Sequence, residues 1–292
     1  MIKKNVALPY ILLAPALLLF TLFVVAPVFQ AAIFSLYKWN GLGPLSDFRG
    51  IDNFVLLLKN AIFIKAISHN VIIIIVSLAV ELPLALIVAL IIGRSEFRLA
   101  VLFRTFFFLP YVLSEIITGV LWQFIYHPQY GLIRSIFANL FPGIPAPTLL
   151  GNPATVLGAI LVVIIWKYFG FHMSILIAGL QGIPNDIREA ALIDGATNMQ
   201  TTGYIILPLL RPTIIVSAYF SIIGSLQIFD VIWAMGKGDP VNAAESMVTY
   251  LYKFGMQRLN IGFGSAVAVT IFVFCLFFSL IYNRLTATPE ER

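Results

Sequence analysis

The sequence predicts an all-α, polytopic transmembrane fold, and three observations carry that prediction. Of 292 residues, 60% are hydrophobic and 11% charged, whereas a soluble domain has about 25% charged residues. Apolar runs of the roughly 20 residues needed to cross a bilayer recur six times, at about 10–36, 70–92, 105–126, 155–180, 212–235 and 263–284. The basic residues behind the net charge of +5 lie scattered between those runs. They build no stripe for nucleic acid and suit juxtamembrane positions in a lipid bilayer with anionic headgroups. The one cysteine, Cys275, sits inside an apolar run, so neither a disulfide framework nor a cysteine metal site is available.

Lys3 and Lys4 precede an apolar run reaching about Phe34. That run is far longer than the 7–15 residues of a signal-peptide core. An uncleaved first span is expected, bent or late-starting because of Pro9, Pro15 and Pro27. A Gly/Pro-rich turn follows, then an amphipathic piece with Phe54, Leu57, Leu58, Ala61 and Ile62 at helical spacing, suited to a membrane surface or a partner. Spans two and three are joined by a short loop holding Arg94 and Arg98, with Arg104 just beyond; this suits a cytoplasmic turn. The segment after span three is rich in Pro and Gly and poor in charge, and reads as external. Six spans place both termini on one side. Basic residues divide almost evenly between the two sides; Lys3 and Lys4 beside the first span and the three arginines of the short loop give the termini's side slightly more density. The expectation that both termini are cytoplasmic therefore rests mainly on the polar stretch between spans four and five.

That stretch runs from Asn185 to Pro208. Pro184 stops the preceding span, Asp186 is a candidate N-cap with Glu189 as its capping-box partner, and Arg188 to Ile193 is a good helix former. Asp194-Gly195 is a turn dipeptide. Asn198 can cap a second helix ending at Pro208, after which Arg211-Pro212 opens span five. A helix-turn-helix with small Ala190 and Ala191 on its surface can dock closely into a groove. The full pattern is Glu189-Ala190-Ala191, then Gly195 after three residues, then Ile205, Leu207 and Pro208 after nine more. It resembles the EAA loop of permease subunits of ATP-binding-cassette importers. Further stretches are similar to the carbohydrate-uptake branch of that family: Pro15-Ala-Leu-Leu, Phe48-Arg-Gly-Ile-Asp-Asn-Phe54, Phe107-Phe-Leu-Pro110 and Ala178-Gly-Leu-Gln-Gly-Ile-Pro184. The resemblance covers nearly the whole chain and is closest to the maltose-type first permease subunit and the glycerol-3-phosphate permease.

The resemblance implies one permease domain of six spans in a bacterial or archaeal cell membrane, with residues 185–208 forming a cytoplasmic coupling loop. It implies three kinds of partner: a second, homologous permease in a heterodimer, an ATPase dimer, and an external solute-binding protein. Glu189, Ala190, Ala191, Asp194, Gly195, Leu207 and Pro208 would form the ATPase-coupling surface, with Glu189 in contact and Gly195 permitting the bend. No G-x-x-x-x-G-K-[ST] segment occurs, so the P-loop that cradles ATP phosphates is missing. The chain is expected to be non-catalytic and to bind no cofactor or metal, with ATP and magnesium held by the partner ATPase.

An ionisable side chain near mid-bilayer costs about 2.5–3.5 kcal/mol on insertion scales. Glu81, Glu115 and Lys167 all fall mid-span; Lys167 either pairs with one of the two glutamates or meets substrate. Asp230 lies about 8 Å from the outer end of span five at 1.5 Å per residue, either reaching the interface or lining an outer mouth. Thr213, Ser217, Ser221 and Ser225 recur every four residues and share one helical face, for close helix packing beside Gly224 or for a sugar pathway. Span four offers Trp166, Tyr168, Phe171 and His172, groups that bind polyols reversibly. From the resemblance, substrate contacts fall near Phe171, Ser221 and Ser225. The expected pathway comprises Glu115, Lys167, Tyr168, Phe171, Ser217, Ser221, Ser225 and Asp230. His69 and His127 are expected at the interfaces, without metal-ligand spacing. The expected solute is a sugar or oligosaccharide, with glycerol 3-phosphate or an anionic sugar left open by Lys167. A membrane enzyme or assembly scaffold is the remote alternative; an enzyme calls for clustered carboxylates at the membrane face, which the linear sequence does not display.

Overall fold

The computed structural model describes residues 7–93 and 98–286; Lys3, Lys4, Arg94 and Arg292, and the side chain of Arg98, lie outside the described residues. The helices, in chain order, are α1 (Ala7–Phe20), α2 (Ala26–Phe34), α3 (Asp52–Lys59), α4 (Ala61–Val76), α5 (Leu82–Ile92), α6 (Arg98–Val112), α7 (Glu115–Ile125), α8 (Leu132–Leu140), α9 (Val156–Gln181), α10 (Asn185–Ile193), α11 (Asn198–Thr201), α12 (Leu207–Gln227), α13 (Asp230–Gly236), α14 (Met247–Tyr250) and α15 (Ile261–Thr286). Among the described residues no strand forms beyond the isolated bridge between Tyr37 and Phe48. Five stretches are long and apolar enough to cross a membrane: Leu12–Phe34, Ala61–Ile92, Val156–Gln181, Asn198–Gln227 and Ile261–Thr286. Helices α6 and α7 make a sixth if the pair is one span.

Three expected boundaries change. The second span begins at Ala61 rather than near residue 70, and the amphipathic piece is divided between α3 and α4. The cause is Asn60, whose backbone is extended and whose Oδ1 accepts from the amides of Ile62 (3.0 Å) and Phe63 (3.2 Å), capping the new helix. The third span is not one rod: it bends by 98° between α6 and α7. The fifth begins at Asn198, and Pro208 does not end the second loop helix; the helix runs through it to Gln227. Asp230 therefore opens a separate helix instead of sitting inside span five.

Pro208 is accommodated by a recurring device. A π-helical segment, Thr202–Ile206, precedes it, and the amide of Leu207 bonds to the carbonyl of Thr202, five residues back. The same arrangement stands before Pro27 (Thr21–Val25) and Pro83 (Ser77–Glu81). Proline lacks an N–H and its ring collides with the carbonyl four residues earlier. Widening the preceding turn to an i→i+5 register moves that carbonyl away. This is why α1 runs on into α2 without a sharp kink at Pro27.

The described chain forms two compact units, residues 7–64 with 250–273 and residues 65–249 with 274–286. In the first, the buried Asn53 side chain donates to the carbonyls of Ser35 (2.8 Å) and Tyr37 (2.9 Å). It thereby satisfies the end of α2 and fixes the start of α3.

The second unit is built around α9, against which α5, α6, α12 and α13 pack. Its buried residues segregate into two apolar clusters. One takes Ile73 of α4, Ala159, Ile160 and Val163 of α9, and Val231 and Ile232 of α13. The other takes Leu82, Ala85 and Ala89 of α5, Met173, Leu176 and Leu180 of α9, and Leu210 of α12. Between the two clusters each element becomes polar: Ser77 and Glu81 before α5, Lys167 to His172 in α9, Ser217 to Ser225 in α12. Gly170 in this layer allows α6 to approach so closely that a Cβ would collide with the carbonyl of Phe107.

Candidate functional site

The polar layer borders a partly open cavity of about 430 Å³, within the range of small-molecule sites. Ser77 and Glu81 reach it from the π segment before α5, Tyr111 and Glu115 from either side of the α6–α7 break, Tyr168, Phe171 and His172 from α9, Phe220, Ser221, Gly224 and Ser225 from α12, and Gln227, Phe229 and Asp230 from the α12–α13 turn. One wall is aromatic: Tyr111 stacks on Phe171 with ring centroids 4.8 Å apart, and Phe171 meets Phe220 edge-on at 5.9 Å. The opposite character comes from oxygen acceptors. Tyr168 Oη donates to Glu115 Oε1 at 2.7 Å, and Ser225 Oγ donates to the Ser221 carbonyl at 2.7 Å. Ser221 Oγ and Glu81 Oε1 are buried and have no hydrogen-bond partner. His172 Nδ1 lies 2.8 Å from Ser217 Oγ, while its Nε2 stands 3.6 Å from Glu81 Oε1, too far for a hydrogen bond.

Of the expected pathway residues, Glu115, Tyr168, Phe171, Ser221, Ser225 and Asp230 line this cavity, and Lys167 and Ser217 do not. Ser217 is fully buried behind it, bonded to His172. Lys167 is 1% exposed. Its amino group donates to the carbonyl of Leu113 at 2.6 Å and approaches that of Pro110 at 3.5 Å, at the bend between α6 and α7. Of the two alternatives for Lys167, an ion pair with Glu115 or Glu81 is not among the salt bridges of the described residues, and a place in the cavity lining is not observed either. A helix ending at membrane depth leaves carbonyls that water cannot reach, and the lysine supplies the donor. Tyr111, Phe220, Phe229, Ser77 and Gln227 enter the cavity without having been singled out in the sequence. Tyr111 stands four residues before Glu115 but across the break between α6 and α7, so helical spacing does not relate the two; the others are ordinary apolar or small polar residues of their spans. The three carboxyl groups of Glu81, Glu115 and Asp230, far apart along the chain, share one cavity.

His69 is also placed differently from expectation. It is buried, with Nδ1 2.8 Å from the carbonyl of Glu245. Beside it Asn70 donates to the Ser225 carbonyl (2.6 Å) and accepts from the Met247 amide (2.9 Å). His127 instead stacks on Tyr130 at 3.5 Å.

In the loop from Asn185 to Pro208 the expected caps move. Helix α10 begins at Asn185 after Pro184 with no side-chain cap, so Asp186 and Glu189 form no capping box; Asp186 sits in the first turn, where its charge suits the helix dipole. The capping box forms at α11 instead. The Thr197 amide donates to Gln200 Oε1 (2.8 Å), and the Gln200 amide donates to Thr197 Oγ1 (3.3 Å). Between the helices Gly195 has φ +84°. Its amide donates to the Leu192 carbonyl (3.1 Å), and that of Ala196 to the Ala191 carbonyl (3.0 Å), the paired bonds of a Schellman C-cap. Glu189, Ala190 and Asp194 are exposed, while Ala191 is buried and not on the surface as expected. Leu207 and Pro208 start α12. Ile193, Met199 and Tyr204 stand out at 85%, 87% and 81% exposed.

Comparison with known proteins places this architecture. The family of binding-protein-dependent transport system inner membrane components matches residues 81–288. The trehalose/maltose transport system permease protein MalF of Thermococcus litoralis is 32% identical, over 97% of this chain and 94% of that protein. The sn-glycerol-3-phosphate transport system permease protein UgpA of Agrobacterium fabrum is 31% identical, over 92% and 91%. Among solved structures, a chain of a bacterial alginate ABC transporter in complex with an alginate pentasaccharide-bound periplasmic protein superposes with a TM-score of 0.83 at 24% identity, over 96% of this chain and 93% of that one.

Proposed function

Because the chain belongs to the family of binding-protein-dependent transport system inner membrane components, and is thus a permease subunit of an ABC importer, we propose that the cavity in its polar layer is its share of the solute pathway. The proposed solute is a sugar or oligosaccharide delivered by an external solute-binding protein. The observation that carries this reading is the pairing of an aromatic wall with acceptor oxygens inside one cavity between two apolar layers. Aromatic faces cover the C–H faces of a sugar ring, and the oxygens accept from its hydroxyls. Glycerol 3-phosphate or an anionic sugar was suggested by Lys167, whose amino group is bonded to backbone and outside the cavity lining; that alternative loses the residue that motivated it.

The loop from Asn185 to Pro208 is read as the coupling element on the cytoplasmic side, with both termini on that side. Exposed Ile193, Met199 and Tyr204 offer apolar surface for a groove, beside the exposed Glu189. The groove belongs to a separate ATPase chain that holds ATP and magnesium, and a second, homologous permease completes the pathway. ATP binding shifts the permease between inward-open and outward-open states only if the docked loop has unequal affinity for the two. Proteoliposomes containing the chain with its partner permease, ATPase and binding protein test both parts. Ser221→Phe, which fills the cavity, and Glu189→Ala, which alters the docking surface, should each cut uptake of radiolabelled neutral disaccharides about tenfold or more. Wild-type uptake in Ser221→Phe removes the pathway assignment. Wild-type uptake in Glu189→Ala removes the coupling assignment.

A further inference from the structure

The cavity carries a charge pattern that its proposed role does not require. Glu81, Glu115 and Asp230 line it, and among the described residues no lysine or arginine does. The nearest buried cation, Lys167, is bonded to the carbonyls of Leu113 and Pro110 and is absent from the lining. His172 does line it, with Nδ1 engaged by Ser217 and Nε2 facing Glu81 across 3.6 Å.

Acidic residues alone would say little, since carboxyl groups commonly face water. Two further atoms point to a ligand. Glu81, its side chain 2% exposed, leaves Oε1 without a hydrogen bond. Ser221, 5% exposed and contributed by a different helix, leaves Oγ without one. Buried polar atoms are rarely left unpaired in a settled core. Both residues border the same cavity, and rotation of either side chain would bring an oxygen that now lacks a partner to the cavity's edge.

Resting on the reading of this cavity as a solute pathway, we infer that it selects by charge: uncharged or amine-bearing solutes are admitted, and solutes carrying carboxylate, sulfonate or phosphate groups are repelled. Hydroxyl and ammonium groups donate to carboxylates, whereas an anionic group brought beside Glu115 and Asp230 meets like charge in a site of low dielectric. Similarity to a glycerol-3-phosphate permease would suggest the opposite selectivity. The acidic lining argues against such a solute for this chain.

The test reads the cavity's charge directly and needs no knowledge of the carried solute. In the assembled transporter, with labelling read on this chain after its separation from the partners, Cys275→Ser removes the chain's one native thiol and Gly224→Cys introduces a new one. Gly224 lines the cavity, and a Cβ there meets nothing within 4 Å. Modification rates are compared for trimethylammonioethyl and sulfonatoethyl methanethiosulfonate, each normalised to its rate with 2-mercaptoethanol. The cationic reagent should react roughly tenfold or more faster than the anionic one, and Glu115→Gln with Asp230→Asn should bring the ratio towards one. Glucose and glucosamine should protect the thiol better than glucuronate. A normalised ratio of one or below, a ratio unmoved by the double substitution, or protection by glucuronate equal to that by glucose would each overturn the inference. Gln227→Cys, at an exposed position of the same lining, provides the same reading if Gly224→Cys fails to assemble. The reagent rates stand apart from disaccharide uptake, so loss of charge selectivity and loss of the sugar reading are separate results.

Discussion

Replacing Lys167 by methionine isolates the role of a buried amino group without changing side-chain length much. In the structure the group donates to the Leu113 carbonyl at 2.6 Å, where α6 ends before the 98° bend into α7. The second contact, 3.5 Å to Pro110, is at the limit of hydrogen bonding and adds little. The loss is therefore close to one buried carbonyl left without its donor, about 1–3 kcal/mol. Methionine keeps the apolar stem packed, so no cavity cost is added. The deficit falls on the bend that carries Tyr111 and Glu115 into the cavity, and on Tyr168, the neighbour that donates to Glu115. Hydrogen exchange in nanodiscs should show the bend, residues 110–118, opening about 5- to 30-fold more readily for a change of 1–2 kcal/mol, with uptake reduced for every solute alike. Lys167→Gln, which retains a donor, should recover part of the protection. Unchanged exchange in Lys167→Met, together with altered preference for anionic solutes, would refute the structural role and return Lys167 to the pathway.

Two more substitutions follow from local geometry. Gly195→Val forces a β-branched residue to φ +84° at a cost of about 1–2 kcal/mol; nothing lies within 4 Å of its would-be Cβ, so the effect is conformational and Gly195→Asn should be nearly silent. Uptake per membrane-inserted protein should fall in the valine variant alone, and equal loss in both would contradict the C-cap account. Asn70→Leu leaves the Ser225 carbonyl and the Met247 amide unpaired in a buried site, worth about 2–6 kcal/mol together; thermal unfolding in detergent should show a large drop, and a change below about 1 kcal/mol would mean that other groups satisfy both.

What could be read from the sequence was what depends on local composition. Apolar runs mark the helices because a membrane span needs an uninterrupted apolar stretch and self-satisfied backbone. The spacing from Glu189 to Pro208 carried the family resemblance, and six of the eight expected pathway residues line one cavity. Boundaries and bends escaped for physical reasons. Asn60 caps α4 from within an amphipathic piece whose periodicity continues across it. The break after Val112 lies in a run whose hydropathy barely changes, and its bend is held by Lys167, 54 residues further on. The π segments before Pro27, Pro83 and Pro208 leave no mark that distinguishes them from α-helix except the proline itself. The absence of an acidic cluster was a property of the linear chain only; folding assembles one from Glu81, Glu115 and Asp230.

Those observations share one cause. The long elements that build the cavity are apolar at both ends and polar at one intermediate depth, and at that depth each carries a local irregularity: a widened turn, a break, a close backbone approach or an unpaired hydroxyl. The segment Ser77–Glu81 is π-helical, α6 and α7 break, α9 carries Gly170 against the α6 backbone, and α12 leaves Ser221 Oγ unpaired. A widened turn, a broken helix and a close approach would each cost stability in an apolar core. Confined to one layer, they turn oxygen atoms and aromatic faces towards a common space while the two apolar clusters keep the helices packed above and below it. The polar layer is therefore held open by the same two clusters that stabilise the unit. A cavity-filling change such as Ser221→Phe should disturb passage through this layer far more than it disturbs the fold.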